Sequence, residues 1–145
     1  LHIMLRFDLE RALISGALAP ADLEEAWNTR FEADFGYKVD RPANGVLQDV
    51  HWSVGLFGYF PTYALGNIYA ACLDGAMRKA SPDLDAQIAV GDLSTALGWL
   101  RENLQCHGGL RPSVATITHA CNGTPPDETP LLHYLDDKFA DIYCL

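Results

Sequence analysis

Apolar positions recur along most of this chain at intervals of three and four, the spacing that gathers side chains on one face of an α-helix. Leu5, Leu9, Ala12 and Leu13 share a face between Leu1 and Ser15, while Ile3, Phe7 and Ile14 carry apolar surface to other sides. A helix apolar on several sides belongs inside something larger than itself. Gly16 reads as its stop. A second helix is expected from Pro20, a residue suited to a first helical position, through Trp27 and Phe31 to Phe35. Asp22, Glu24 and Glu25 sit at the positive end of its dipole, and Gly36 ends it. The pattern breaks from Tyr37 to Leu47, where Pro42, Asn44 and Gly45 mark a loop. Pro61 opens a third helix from Thr62 to Lys79, which Ser81-Pro82 interrupts. A short helix from Asp83 to Ala89 follows, then a longer one from Asp92 to Gln105 with Leu93, Ala96, Leu97 and Leu100 on one face. Two more are expected, Pro112 to Cys121 and Pro130 to Tyr143, separated by the loop NGTPPDET. No run alternates with period two for long enough to make a strand. The chain reads as all-α, a single helical region over residues 1–145 without repeats or an internal boundary.

Composition narrows the function classes. With 49% hydrophobic and 20% charged residues, the 145-residue chain has the make-up of a folded domain rather than of disorder. Lys and Arg number 10 against 19 Asp and Glu, a formal charge of −9, which argues against nucleic acid because phosphate-backbone affinity comes from cations. No apolar run is long enough to span a membrane, and no basic-then-apolar start resembles a signal peptide. Cys72, Cys106, Cys121 and Cys144 are scattered and form no CxxC, so reduced and mostly buried thiols in a cytoplasmic protein are expected. The first residue is Leu1 rather than methionine, which reads as a piece of a longer chain.

Candidate chemistry concentrates in one place. His2, His51, His107, His119 and His133 include no i, i+4 pair of the kind that puts two imidazoles on one helix face for zinc. A mixed site from Cys106, His107, His119 and Cys121 lacks the spacing of structural zinc sites, and ordinary helix-end and core roles explain those residues better. The glycines of GLFGYF have no strand before them and cradle no phosphate. Between Gly45 and Gly66, however, the chain is dense in aromatics and carries a single formal charge, Asp49. Gln48, Asp49, His51 and Trp52 place an amide, a carboxylate, an imidazole and an indole within five residues, and Tyr59 and Tyr63 follow. Imidazole and phenol are donors able to stabilise a developing oxyanion. An aromatic packing knot whose polar atoms satisfy one another accounts for the same residues.

The string GVLQDVHW, Gly45 to Trp52, resembles the GxxQDxHW signature of the thermostable carboxypeptidase 1 (Taq carboxypeptidase) family of zinc metallocarboxypeptidases. The resemblance extends to HIMLRFDLE (His2 to Glu10), DLEEAWN (Asp22 to Asn28), GLFGYFPTYALGNIYAA (Gly55 to Ala71), GDLSTALGWLRENL (Gly91 to Leu104) and the ending YLDDKFADIYCL, all in the family's order. It covers essentially the whole chain and departs from the family around HGGLRPSVATITHACNGTPPDET.

The resemblance implies the C-terminal third of such an enzyme, the helical part of a larger, cleft-forming fold like that of other HExxH peptidases. The zinc ligands and the catalytic glutamate belong to motifs that precede the matched region, so no metal ligand is assigned here. The implied reaction releases C-terminal amino acids from peptides by attack of a metal-activated water, in a cytoplasmic homodimer. His51 and Tyr63 best match the family's oxyanion donors, with Tyr59 as the alternate phenol. Gln48 and Asp49 stand on the substrate-binding side, Gln48 toward peptide backbone or the terminal carboxylate and Asp49 more as an orienter of His51 or a turn cap. Trp52 is expected to pack. His2, Arg6 and Glu10 share a helix face, with an Arg6–Glu10 pair as the simplest expectation. The isolated segment is expected to be inactive. The alternative is a stand-alone, non-catalytic helical module for binding or oligomerisation.

Overall fold

The computed structural model describes residues 1–145 and contains only helices, turns and loops. Seven α-helices occur, one for each expected from the pattern: α1 (His2–Ile14), α2 (Leu23–Phe35), α3 (Pro61–Ala80), α4 (Leu84–Ala89), α5 (Ser94–Asn103), α6 (Ser113–Ala120) and α7 (Thr129–Tyr143). The pattern does not show the 3₁₀ turns at Pro20–Asp22, Pro42–Asn44, Val46–Gln48, Trp52–Val54 and Gln105–His107. Such three-residue turns are too short to leave a period. Packing divides the chain into two compact units, Leu1–Ala64 and Leu65–Leu145. The junction falls inside the continuous helix α3, so no linker composition marks it. None of the helices is long and apolar enough to cross a membrane.

In the first unit, Leu5 and Leu9 of α1 bury against Trp27 and Phe31 of α2, and Leu18, Leu23, Ala26, Phe35, Val39, Val46 and Trp52 pack around them. Each fully buried side chain of this size contributes about 1.5–3 kcal/mol. Gly36 ends α2 in the left-handed conformation, its N–H returning to the Glu32 carbonyl. The chain then crosses the core so closely that a Cβ on Gly45 would stand 2.7 Å from Val39 Cγ1 and 3.4 Å from Trp27 Nε1. Glycine is required there by close approach.

In the second unit the buried positions are Cys72, Leu84, Thr116, Ile117 and Ala120. Arg78 joins Asp74 one turn back (2.7 Å) to Asp85 at the start of α4, and these two carboxylates raise its pKa above the ordinary arginine value. Asp92 accepts the Ser94 N–H at 2.9 Å at the start of α5, and hydrogen bonding from the Ser94 side chain and then its backbone holds the carboxyl below the usual carboxylate range. All four thiols are free, but the expectation that most are buried is corrected: Cys72 is buried, Cys121 half-buried, Cys106 and Cys144 exposed. Burial, with Cys72 nearby, pushes the Cys121 thiol up.

The core is small for the composition. Nine apolar residues are buried, whereas large apolar side chains such as Met4, Phe7, Ile14, Leu47, Val54, Phe57, Leu97 and Ile142 are exposed. Such surface promotes association in water. Sedimentation of residues 1–145 is expected to show a mass that rises with concentration, and a fixed monomer mass would contradict this. Gly45→Ala is expected to lower stability by about 1–3 kcal/mol through overpacking against Val39, read as an earlier midpoint in urea.

Candidate functional site

The segment from Gly45 to Tyr63 is folded by local devices into one face of the first unit. Asp49 Oδ1 accepts the backbone N–H of Trp52 at 2.8 Å, capping the turn Trp52–Val54. The His51 carbonyl accepts the N–H groups of Val54 (3.2 Å) and Leu56 (2.9 Å). Pro61 begins α3, and the Tyr63 N–H returns to the Phe60 carbonyl at 3.2 Å, so the first helical turn fixes Tyr63. Phe60, 1% exposed, is the apolar anchor beneath the face.

These devices bring His51 and Tyr63 together, with His51 Nε2 lying 3.1 Å from the Tyr63 hydroxyl. The imidazole stacks on Tyr59 (centroids 5.4 Å apart) and meets the edge of Phe60 (4.7 Å), and Tyr59 meets Tyr63 edge-on at 5.5 Å. Both tyrosines are exposed, whereas the His51 side chain is only 13% exposed. The result is a half-buried ring presenting one nitrogen to a phenol at the surface.

The Asp49 side chain is buried, at 1% exposure. Its Oδ2 lies 3.9 Å from His51 Nδ1 and 3.6 Å from Arg6 Nε. It accepts from the turn and faces the imidazole. Gln48 is exposed, and its side-chain amide donates to the Ala43 carbonyl, which fixes its direction.

The expected Arg6–Glu10 pair does not form. The Arg6 guanidinium lies 5.5 Å from the ring centres of both Trp27 and Phe60 and turns to Asp49. Glu10 is 5% exposed and accepts two N–H groups, from the Trp52 indole at 2.9 Å and from the Gly58 backbone. Gly58 has φ of +77°, a conformation that glycine adopts without steric cost and that presents its N–H to the carboxylate. Trp52 thus packs, edge-on to Trp27 and Phe60, and also donates. Arg6 and Glu10 are the site residues that the pattern undervalues. Each follows a buried leucine by one position, at the edge of the core stripe, where a charge meets the rim of the fold rather than open water.

Chemically, the pair has two states. With the His51 proton on Nδ1, toward Asp49, Nε2 accepts the Tyr63 hydroxyl proton. With Nε2 protonated, the ring donates to the Tyr63 oxygen and the phenol proton is free to point outward. No three His, Cys, Asp or Glu side chains converge on a point that could hold a metal ion, so the residues of this chain do not fit a metal centre.

Comparison with known proteins gives the same region a lineage. Residues 1–139 match the family described as carboxypeptidase Taq (M32) metallopeptidase. Thermostable carboxypeptidase 1 of Thermus thermophilus is 40% identical over 144 residues, 99% of this chain and 28% of that protein. Carboxypeptidase 1 of Bacillus subtilis is 37% identical over 145 residues, all of this chain and 29% of its own length. The crystal structure of the M32 carboxypeptidase from Deinococcus radiodurans superposes with a TM-score of 0.94 at 37% identity, covering 99% of this chain and 29% of that one. The chain thus spans less than a third of the length of the relatives it matches.

Glu10→Gln puts an amide N–H against one of two buried N–H donors. It is expected to cost about 1–3 kcal/mol and to expose the Trp52 indole N–H to faster hydrogen exchange. Unchanged indole exchange would show that the carboxylate does not hold the loop.

Proposed function

This chain belongs to the carboxypeptidase Taq (M32) family of metallopeptidases, and we propose that its residues supply the oxyanion- and substrate-binding side of a metallocarboxypeptidase active centre. The observation that carries the reading is the His51–Tyr63 pair, a phenol at the surface backed by an imidazole that a buried carboxylate faces. When the carbonyl of a peptide's last bond is attacked, its oxygen gains negative charge. Donors already in place stabilise that charge without reorganising. Tyr63 is the outward donor when His51 donates from Nε2 to the Tyr63 oxygen, which leaves the phenol proton free to point outward. Tyr59, stacked on His51, is the alternate phenol. Gln48, set by its bond to Ala43, is the amide proposed to meet peptide backbone or the terminal carboxylate. Asp49 contributes through His51.

The metal that the word metallopeptidase in the family's description implies, proposed as zinc, is assigned to residues other than 1–145, a reading supported by the lack of three converging ligands among them. These residues are then the C-terminal part of the catalytic domain, inactive when separated from the metal-binding part. A cytoplasmic homodimer acting on peptides with a free C-terminus completes the proposal. The exposed apolar side chains of α1 and α7 supply surface for contacts with the rest of such a protein.

The test uses the protein encoded by the complete reading frame that contains residues 1–145, with an N-blocked dipeptide as substrate. Tyr63→Phe and His51→Ala are each expected to reduce kcat by roughly 10²–10³-fold with little change in KM, the usual effect of losing one oxyanion donor. The substrate with an amidated C-terminus is expected to remain intact, and residues 1–145 alone to release no amino acid. Wild-type turnover in both variants would overturn the reading.

A further inference from the structure

Arg6 lies outside the motif that carries the candidate site, yet it shares an atom with it. Asp49 Oδ2 is approached from α1 by Arg6 Nε at 3.6 Å and from its own segment by His51 Nδ1 at 3.9 Å. All three atoms are buried, and none has a hydrogen-bond partner elsewhere. The guanidinium cannot swing toward solvent without leaving the two rings that flank it, Trp27 and Phe60, each 5.5 Å away. It is also a permanent cation. The other titratable or charged groups around His51 are Tyr59 and Tyr63, from the segment before α3 and from α3 itself.

We propose that Arg6 is a positioning residue that competes with His51 for Asp49 and so decides which way the proton shared by His51 and Tyr63 points. An undivided Asp49 charge draws the imidazole proton to Nδ1. Nε2 then becomes an acceptor and ties the Tyr63 hydroxyl inward. Arg6 takes part of that charge, weakens the hold on Nδ1 and leaves Nε2 able to donate, which frees the phenol proton for an incoming oxygen. The catalytic part of this inference rests on the function proposed above; the structural part does not.

The experiment measures the imidazole nitrogen shifts of His51 in histidine-labelled protein from the complete reading frame, at a pH where the ring is neutral. Kinetics are run on the same samples. Arg6→Met, which keeps length and packing but no charge, is expected to move the His51 shifts toward the Nδ1–H form. Asp49→Asn is expected to move them the opposite way, and Arg6→Lys to stay closer to wild type than Arg6→Met. With the peptide substrate, Arg6→Met is expected to lower kcat about 10- to 100-fold at nearly constant KM, the range typical of residues that act through a catalytic group. Unchanged shifts in Arg6→Met, or a change in the same direction as Asp49→Asn, would overturn the proposal. Loss of activity in Tyr63→Phe and His51→Ala with normal activity in Arg6→Met would overturn its catalytic part and leave the proposed function standing. Normal activity in Tyr63→Phe and His51→Ala would overturn the proposed function, and the nitrogen shifts would still decide Arg6.

Discussion

Asp49 is a carboxylate with almost no access to water, and a buried charge persists only where fixed dipoles and counter-charges replace its hydration. One oxygen is held by the Trp52 backbone N–H; the other faces Arg6 and His51. From this placement follows the turn Trp52–Val54, beside which His51 Nε2 approaches Tyr63. Neither charge is spare: removing Arg6 leaves the carboxylate facing only the imidazole, and removing Asp49 leaves a cation wedged between two aromatic rings.

Glu10 does for the far end of the loop what Asp49 does for the near end. It has no cation beside it and instead accepts two N–H groups from residues 42 and 48 positions along the chain. The two carboxylates hold the loop from opposite ends, one from within it and one from α1. Trp52 belongs to both arrangements, its backbone bonded to Asp49 and its indole to Glu10. The signature GVLQDVHW therefore reads as a structural sentence. Gly45 clears the core, Asp49 caps, His51 meets Tyr63 and Trp52 locks the segment to α1.

The helices were legible because apolar spacing, prolines and terminal glycines agree with one another from α1 to α7. The His51–Tyr63 pair was legible only through the resemblance, since eleven residues lie between the two and no periodicity links them. Arg6 and Glu10 were hidden for a different reason. Spaced i, i+4 on a helix, opposite charges suggest each other, and only the three-dimensional packing shows that both reach across to a loop more than thirty residues away. The 3₁₀ turns and the division within α3 leave no compositional trace at all. The abundance of apolar side chains without a buried place in this chain agrees with its spanning under a third of its relatives' length.

The central claim is that Tyr63, backed by His51, is aimed at the oxygen that becomes negative during peptide cleavage. The most direct measurement is a crystal structure of the protein from the complete reading frame, bound to a peptide analogue whose last amide is replaced by a tetrahedral phosphinate. The account predicts the Tyr63 hydroxyl within about 3 Å of a phosphinate oxygen, with His51 Nε2 still bonded to Tyr63. A phosphinate bound with Tyr63 and Tyr59 both turned away from its oxygens would contradict it.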